Sequence, residues 1–244
     1  SNEKSRKGIH SLAQPSSNYQ KTDRQDFKYH QIVKPIVAMF VDHPRCAIDG
    51  VNATMKALRS QYDFKIFTRH ELEDNFFDDV HLVCVPGGVG DADTYSRVMK
   101  HCEKPIRRFV RNGGHYLGIC MGAYWAGPGY LNIVDHLKID QYITRPTACT
   151  RRPHAKGMMI DWLGQKESMY FFDGCAIVGD DIEKIARYPN GDTMAGIQGK
   201  VGLIGCHPES EEYWYKMHSW MPRHWHQGRH HQLLLGFTNY LMNK

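Results

Sequence analysis

The sequence predicts an α/β fold for residues 32–244: doubly wound, with a mostly parallel sheet, helices on both faces and an irregular or antiparallel extension. Three observations lead there. Short, almost wholly apolar runs recur along the chain, segments with helical spacing separate the early ones, and a glycine-studded stretch interrupts the alternation later. A strand buried on both faces reads as a continuous apolar run, which marks a parallel sheet packed between helices.

Residues 1–31 are polar, with little periodicity, and read as an N-terminal arm. The pattern changes at Lys34. Ile36–Val41 is the first buried strand, and 46–60 carries helical spacing through Val51, Met55 and Leu58. Phe64–Phe67 is the second strand, and Val80–Val85 the third, stopped by Pro86-Gly87-Gly88. One helix is expected over 94–111, with Val98, Met99, Ile106 and Val110 on its apolar face. Tyr116–Ile119 is the fourth strand. Residues 130–200, with glycine at 157, 164, 174, 179, 191, 196 and 199, form the extension. Val201–Cys206 returns to a buried strand, and a helix from about Gln232 to Met242 ends the chain.

Among 244 residues, 41% are hydrophobic and 23% charged, as in an ordinary globular domain. The net charge of +5 comes from interspersed acidic and basic residues, so no nucleic-acid footprint is expected. No apolar run approaches the ~20 residues that span a bilayer, so no membrane partner is expected either. The seven cysteines form no CxxC pair and read as free thiols of a reducing compartment, the cytoplasm. The chain begins Ser-Asn rather than Met, which suggests an expression scar or a trimmed leader.

The chemistry is concentrated at Gly118-Ile119-Cys120-Met121-Gly122, where a strand ends and a helix begins. A nucleophile on such a turn is held in unusual backbone geometry, and glycines two residues either side let strand and helix approach closely. Cys120 is therefore expected to be exposed at the carboxyl edge of the sheet, with a helix dipole favouring its thiolate. A cysteine nucleophile needs a base, and the base an orienting group. His207-Pro208-Glu209 supplies both at the end of another predicted strand, so the expected catalytic residues are Cys120, His207 and Glu209. The backbone N–H groups of Gly88 and Met121 are the expected oxyanion donors. Gly87, Asp91 and Tyr124 are expected at the substrate, with capping of the following helix as the simpler role for Asp91.

Gly-Ile-Cys-Met-Gly followed by a later His-Pro-Glu resembles the class I glutamine amidotransferase-like superfamily. That resemblance implies a flavodoxin-like fold and a Cys120–His207–Glu209 triad. A narrower resemblance is to the biotin-protein ligase N-terminal domain family. It rests on four blocks: Pro86–Gly88 with Asp91 and Asp93, Gly113–Tyr124, Met169–Gly174 and Gly205–Glu209. Glutaminases of the superfamily usually carry Gln four positions after the nucleophile, where this chain has Tyr124. These residues hold neither an ammonia-accepting domain nor a biotin ligase catalytic domain, so the resemblance implies fold and triad more than glutamine hydrolysis.

The expected activity is cysteine-dependent amide hydrolysis or acyl transfer on a small-molecule or peptide amide, with no cofactor and no metal; a partner protein is compatible with it. The alternative is a non-catalytic binding or regulatory module on the same fold. The segment 213–231, with five histidines and three tryptophans, is expected to shape the mouth of the Cys120 crevice rather than to bind metal. Arg145, Arg151 and Arg152 are expected on a solvated face, with an anionic substrate as the alternative.

Overall fold

The structure, a computed structural model, describes residues 33–70 and 72–244; the predicted arm over 1–31 lies outside the described residues. Eleven strands form one sheet. Strands β1 (Ile36–Phe40), β2 (Asp63–Phe67), β3 (Leu82–Val85), β4 (His115–Ile119) and β11 (Val201–Ile204) lie side by side, all parallel, in the order β2-β1-β3-β4-β11. Counting only these, the order is 2-1-3-4-5, that of flavodoxin-like sheets. The sheet continues in antiparallel fashion through β10 (Thr193–Gln198), β9 (Glu183–Arg187), β6 (Lys156–Trp162) and β7 (Gln165–Phe171), with β8 (Cys175–Val178) and β5 (Lys138–Gln141) branching from β10. The extension is thus regular, and it holds more strands than the parallel part.

Local sequence explains its hairpins. β6 and β7 are joined by Leu163 and Gly164, at φ 49° and 85°, the left-handed pair that a two-residue turn requires. In β6, every second residue from Met158 to Trp162 is buried, the alternation of a strand with one covered face.

Helices cover both faces. Gly202 pairs with Leu117 and Gly118 with Leu203, so the two glycines point to opposite sides. A Cβ on Gly202 would stand 2.8 Å from Phe237 and 2.9 Å from Leu241 of helix α6 (Arg229–Met242). One on Gly118 would stand 2.8 Å from the Ala123 nitrogen in helix α4 (Met121–Trp125), on the other face. Helix α1 (Ile48–Leu58) packs beside α6, and α2 (Ala92–Val98) lies against α4. The single helix expected over 94–111 is two, because Met99 leaves helical geometry at φ −98°, ψ 11° between α2 and α3 (Lys100–Arg111). The last helix begins three residues before its predicted start, after Gly228 turns at φ 71°.

Two glycines should respond in opposite ways to alanine. A Cβ at Gly122 would overlap the Val85 carbonyl oxygen, so Gly122→Ala is expected to lower the unfolding free energy by about 1–3 kcal/mol. Gly236, inside α6, has nothing near its missing Cβ, so Gly236→Ala should add about 0.5–1 kcal/mol. Urea denaturation of the two variants measures both signs.

Candidate active site

Parallel strands end along one edge, so the segments leaving β3, β4 and β11 meet there. They carry Gly87 and Gly88, Cys120, and His207 with Glu209. Cys120 follows β4 directly, at φ 51°, ψ −105°, a backbone conformation few non-glycine residues adopt. Three hydrogen bonds hold it: its N–H donates to the Ile204 carbonyl at 2.7 Å, and its own carbonyl accepts from Ala123 at 2.9 Å and Tyr124 at 3.0 Å. Gly118 and Gly122 provide the room, and the Tyr116 hydroxyl, bonded to the Gly122 carbonyl at 2.7 Å, fastens α4 to β4.

Two features differ from the sequence expectation. The Cys120 residue is only 7% exposed, because the turn after β7 folds over it and brings the Phe172 carbonyl oxygen to 3.7 Å from Sγ. Helix α4 has only five residues, too few for a large macrodipole, so charge balance at the sulfur falls mainly to a neighbouring side chain.

That neighbour is His207. Its backbone N–H donates to the Tyr170 carbonyl at 2.9 Å, pinning the end of β11 to β7. Its Nδ1 lies 2.5 Å from Glu209 Oε1, so Nε2 is the ring nitrogen not engaged by the carboxylate. Glu209 is 1% exposed, and its Oε2 is buried without a hydrogen-bond partner. The rings of Tyr170 and Trp214 stand edge-on to the imidazole, with centroids at 5.9 and 6.0 Å. Burial pulls the His207 pKa down, but the negative charges of Glu209 and Cys120, with their hydrogen bonds to the ring, outweigh it and hold the pKa well above its ordinary value.

The glycine turn divides its work. A side chain at Gly87 would stand 2.8 Å from His207 Cε1 and 3.6 Å from Cys120 Cβ, so this glycine keeps space open at the two residues. The missing side chain of Gly88 instead faces the Arg45 carbonyl and the Tyr95 ring, and Val89 donates to Arg45 at 2.6 Å. Met121 is the first residue of α4, where a helix leaves its N–H groups without intrahelical partners. Asp91 takes the simpler of its two expected roles: its Oδ1 accepts from Thr94 N and Oγ1, both at 2.9 Å, as the N-cap of α2. Tyr124 donates its hydroxyl to the Asp173 carbonyl at 3.1 Å, and so ties α4 to the turn that covers Cys120.

Sequence reasoning did not assign Tyr170 and Phe172 to the site, although both lie within one of the four matched blocks; Trp214 belongs to the 213–231 segment that was expected at its mouth. The arginines of the extension have structural partners: Arg145 pairs with Asp192 at 2.9 Å, and Arg151 donates to the carbonyls of Ile143, Arg145 and Pro146. The histidine- and tryptophan-rich segment reaches the site through Trp214. Elsewhere it builds a small core, in which Tyr215 and Met221 pack with Ala155 and Tyr170. Among the described residues, no three or more His, Cys, Asp or Glu side chains gather as a metal site.

Solved structures place this architecture. The chain superposes on a crystal structure of a glutamine amidotransferase with a TM-score of 0.55 at 20% identity, covering 82% of this chain and 98% of the other. The fold is glutamine amidotransferase-like. A glutamine amidotransferase of Thermotoga maritima gives a TM-score of 0.60 at 12% identity, with 86% and 97% covered. One from Methylobacillus flagellatus gives 0.58 at 12%, with 86% and 93% covered. Residues 44–132 match the family model described as biotin-protein ligase, N terminal. That span includes the glycine turn and the Cys120 block of this glutamine amidotransferase-like fold, and ends before the Tyr170 and His207 blocks. No curated protein matches the chain in sequence. No helix among the described residues is long and apolar enough to cross a membrane, and all seven cysteines are free thiols.

The raised His207 pKa has a consequence for stability. The unfolded imidazole titrates near ~6.5 and the folded one higher, so protonation favours the folded state. That stabilisation is complete below about pH 6.5 and is lost as pH rises through the folded pKa. The Tm advantage of the wild type over His207→Gln is therefore expected to shrink as pH is raised above ~6.5. A difference that stays constant or grows contradicts the assignment.

Proposed function

We propose that the protein is a cysteine-dependent hydrolase or acyl transferase acting on a small-molecule or peptide amide. The observation that carries this reading is that Cys120 and His207 border the same space at Gly87, where a Cβ would stand 3.6 Å from Cys120 Cβ and 2.8 Å from His207 Cε1, while Glu209 lies 2.5 Å from His207 Nδ1. This neighbourhood supports a reading in which His207 is the base, Glu209 its orienting carboxylate and Cys120 the nucleophile of acyl transfer.

The steps follow from the geometry. His207, whose raised pKa favours the protonated ring, holds the thiol proton on Nε2 as Sγ bonds to the amide carbon and the carbonyl electrons move onto oxygen. The N–H groups of Gly88 and Met121 are the proposed donors to that oxyanion, each contributing about 3 kcal/mol to its stabilisation. The intermediate collapses to a thioester, and the departing amine takes the proton from His207. Water then attacks the thioester and gives a proton to His207; the C–S bond breaks, the carboxylic acid leaves, and the sulfur and protonated imidazole return to their starting state. Glu209 keeps the imidazole oriented and offsets its positive charge. With an amine acceptor in place of water, the same thioester completes acyl transfer.

Two properties favour an amide other than free glutamine. Tyr124 stands where glutaminases of the superfamily usually hold the substrate with Gln, and its hydroxyl is already bonded to Asp173. The Phe172 carbonyl narrows the approach to Sγ.

Alkylation tests the nucleophile before any substrate is known. The thiols of Cys46 and Cys102 are pushed by burial to about 12 and 11, and burial also raises those of Cys84, Cys175 and Cys206. Cys149 is exposed and is removed as Cys149→Ser. In that background, iodoacetamide at about pH 6 is expected to label Cys120 first, and His207→Ala to slow labelling about a hundredfold or more. Cys120 reacting no faster than the buried thiols would leave the binding-module reading in its place. Ammonia release from glutamine and from peptide amides, with Cys120→Ala as the blank, then assigns the substrate.

A further inference from the structure

The histidines at the start of α6 lie directly behind the Glu209 turn. The Ser210 carbonyl oxygen accepts from His230 Nε2 at 2.8 Å and from His231 Nε2 at 2.8 Å, using both of its lone pairs. The Ser210 hydroxyl bonds to the Tyr215 hydroxyl at 2.9 Å and lies 3.1 Å from His230 Nε2. Ser210 and His230 are fully buried, and Tyr215 nearly so. His226 completes the group: its Nε2 donates to the Ser168 carbonyl at 2.9 Å and faces His230 Nδ1 at 3.4 Å.

These contacts fix the tautomers. With its Nε2–H on Ser210, His230 has only Nδ1 as a lone pair, and that nitrogen faces the donor of His226. Burial pushes the His230 pKa down to about 3, so the ring stays a neutral donor at any physiological pH.

The turn 207–210 is consequently held at both ends. His207 N is bonded to Tyr170 on β7, Ser210 O is bonded to α6, and Ser210 N closes the turn onto the His207 carbonyl at 3.2 Å. Glu209 lies between these anchors. Its second oxygen has no hydrogen-bond partner among the described residues, so the bond to His207, the packing around it and the anchored backbone on either side aim the carboxylate. Resting on the triad proposed above, we propose that His230 and His231 are positioning residues: by clamping the Ser210 carbonyl they set the Glu209 carboxylate against His207 Nδ1.

The test reads the position of Glu209 without requiring turnover. In the otherwise native full-length chain, the His207 Cε1–H resonance is titrated by NMR, with Glu209→Gln as the reference for a lost carboxylate. His230→Leu removes one N–H and is expected to weaken proton binding by His207 about tenfold, in the direction of Glu209→Gln. His230→Gln, whose amide can donate where Nε2 did, should restore most of the wild-type value; loss of bulk alone would not be repaired in this way. His231 is partly exposed, so His231→Leu keeps the test available if His230→Leu does not fold, and a smaller change of the same sign is expected. Wild-type titration in every leucine variant that folds, or no difference between His230→Gln and His230→Leu, would overturn the clamp. A normal titration pattern with no amide turnover by the wild type would overturn the proposed function and leave the clamp standing.

Discussion

Everything at the candidate site depends on how closely α4 approaches the centre of the sheet. Gly122 touches the Val85 carbonyl of β3, Gly118 touches the first turn of α4, and no Cβ fits at either contact. A chain that leaves β4 and starts a helix so near the same strand must reverse in one residue, and Cys120, at φ 51°, makes that reversal. Backbone geometry of this kind costs about 1–3 kcal/mol and persists only where the surroundings over-determine it. Here the Ile204 carbonyl, the Gly122 carbonyl under the Tyr116 hydroxyl, and the packing of Trp125 and Ala126 in the core supply that constraint. The result is a Cys120 backbone fixed at the end of β4 by contacts within the sheet and α4.

A fixed thiol requires an equally fixed base, and the physics of burial makes this costly. His207 and Glu209 are 8% and 1% exposed, and removing two charges from water offsets much of their mutual attraction. One contact at 2.5 Å, with Glu209 Oε2 left unpartnered, is a poor arrangement for stability alone. It is a good one for direction. The carboxylate holds a single ring nitrogen, and the rings of Tyr170 and Trp214 stand edge-on to the imidazole and limit its tilting.

The parallel part of the fold was legible because its inner strands, β1, β3, β4 and β11, are covered on both faces, and burial writes itself into sequence as an unbroken apolar run. Met39, Cys84, Leu117 and Leu203 all come from such runs. The extension was less legible, since its strands mix apolar and polar residues and their pairing depends on turns such as Leu163–Gly164. The site showed the same division. Cys120, His207 and Glu209 follow strands whose ends could be located, and the structure brings them together. The cover over Cys120 could not be foreseen, because the Phe172 carbonyl is a backbone atom and carries no residue signature. The role of the α6 histidines was illegible for a related reason: imidazoles at short spacing look alike in sequence, and nothing in it shows that two of them donate to one carbonyl.

Tyr124 shows how one side chain can couple selectivity to architecture. It projects from α4, the helix that fixes Cys120, and its hydroxyl reaches the Asp173 carbonyl beyond β7. Asp173 is itself in the left-handed region at φ 47°, and its carboxylate accepts from the Gln141 amide at 3.1 Å, so that turn is held from two directions. The residue before it is Phe172, whose carbonyl lies over the sulfur. A tyrosine at this position therefore replaces the usual glutamine and, by the same bond, ties down the covering turn. On the proposed chemistry, changing Tyr124 alone would remove a fastening of the cover as well as a substrate contact. The narrow approach to Cys120 and the departure from the glutaminase pattern thus have one structural cause, the hydrogen bond between α4 and the turn after β7.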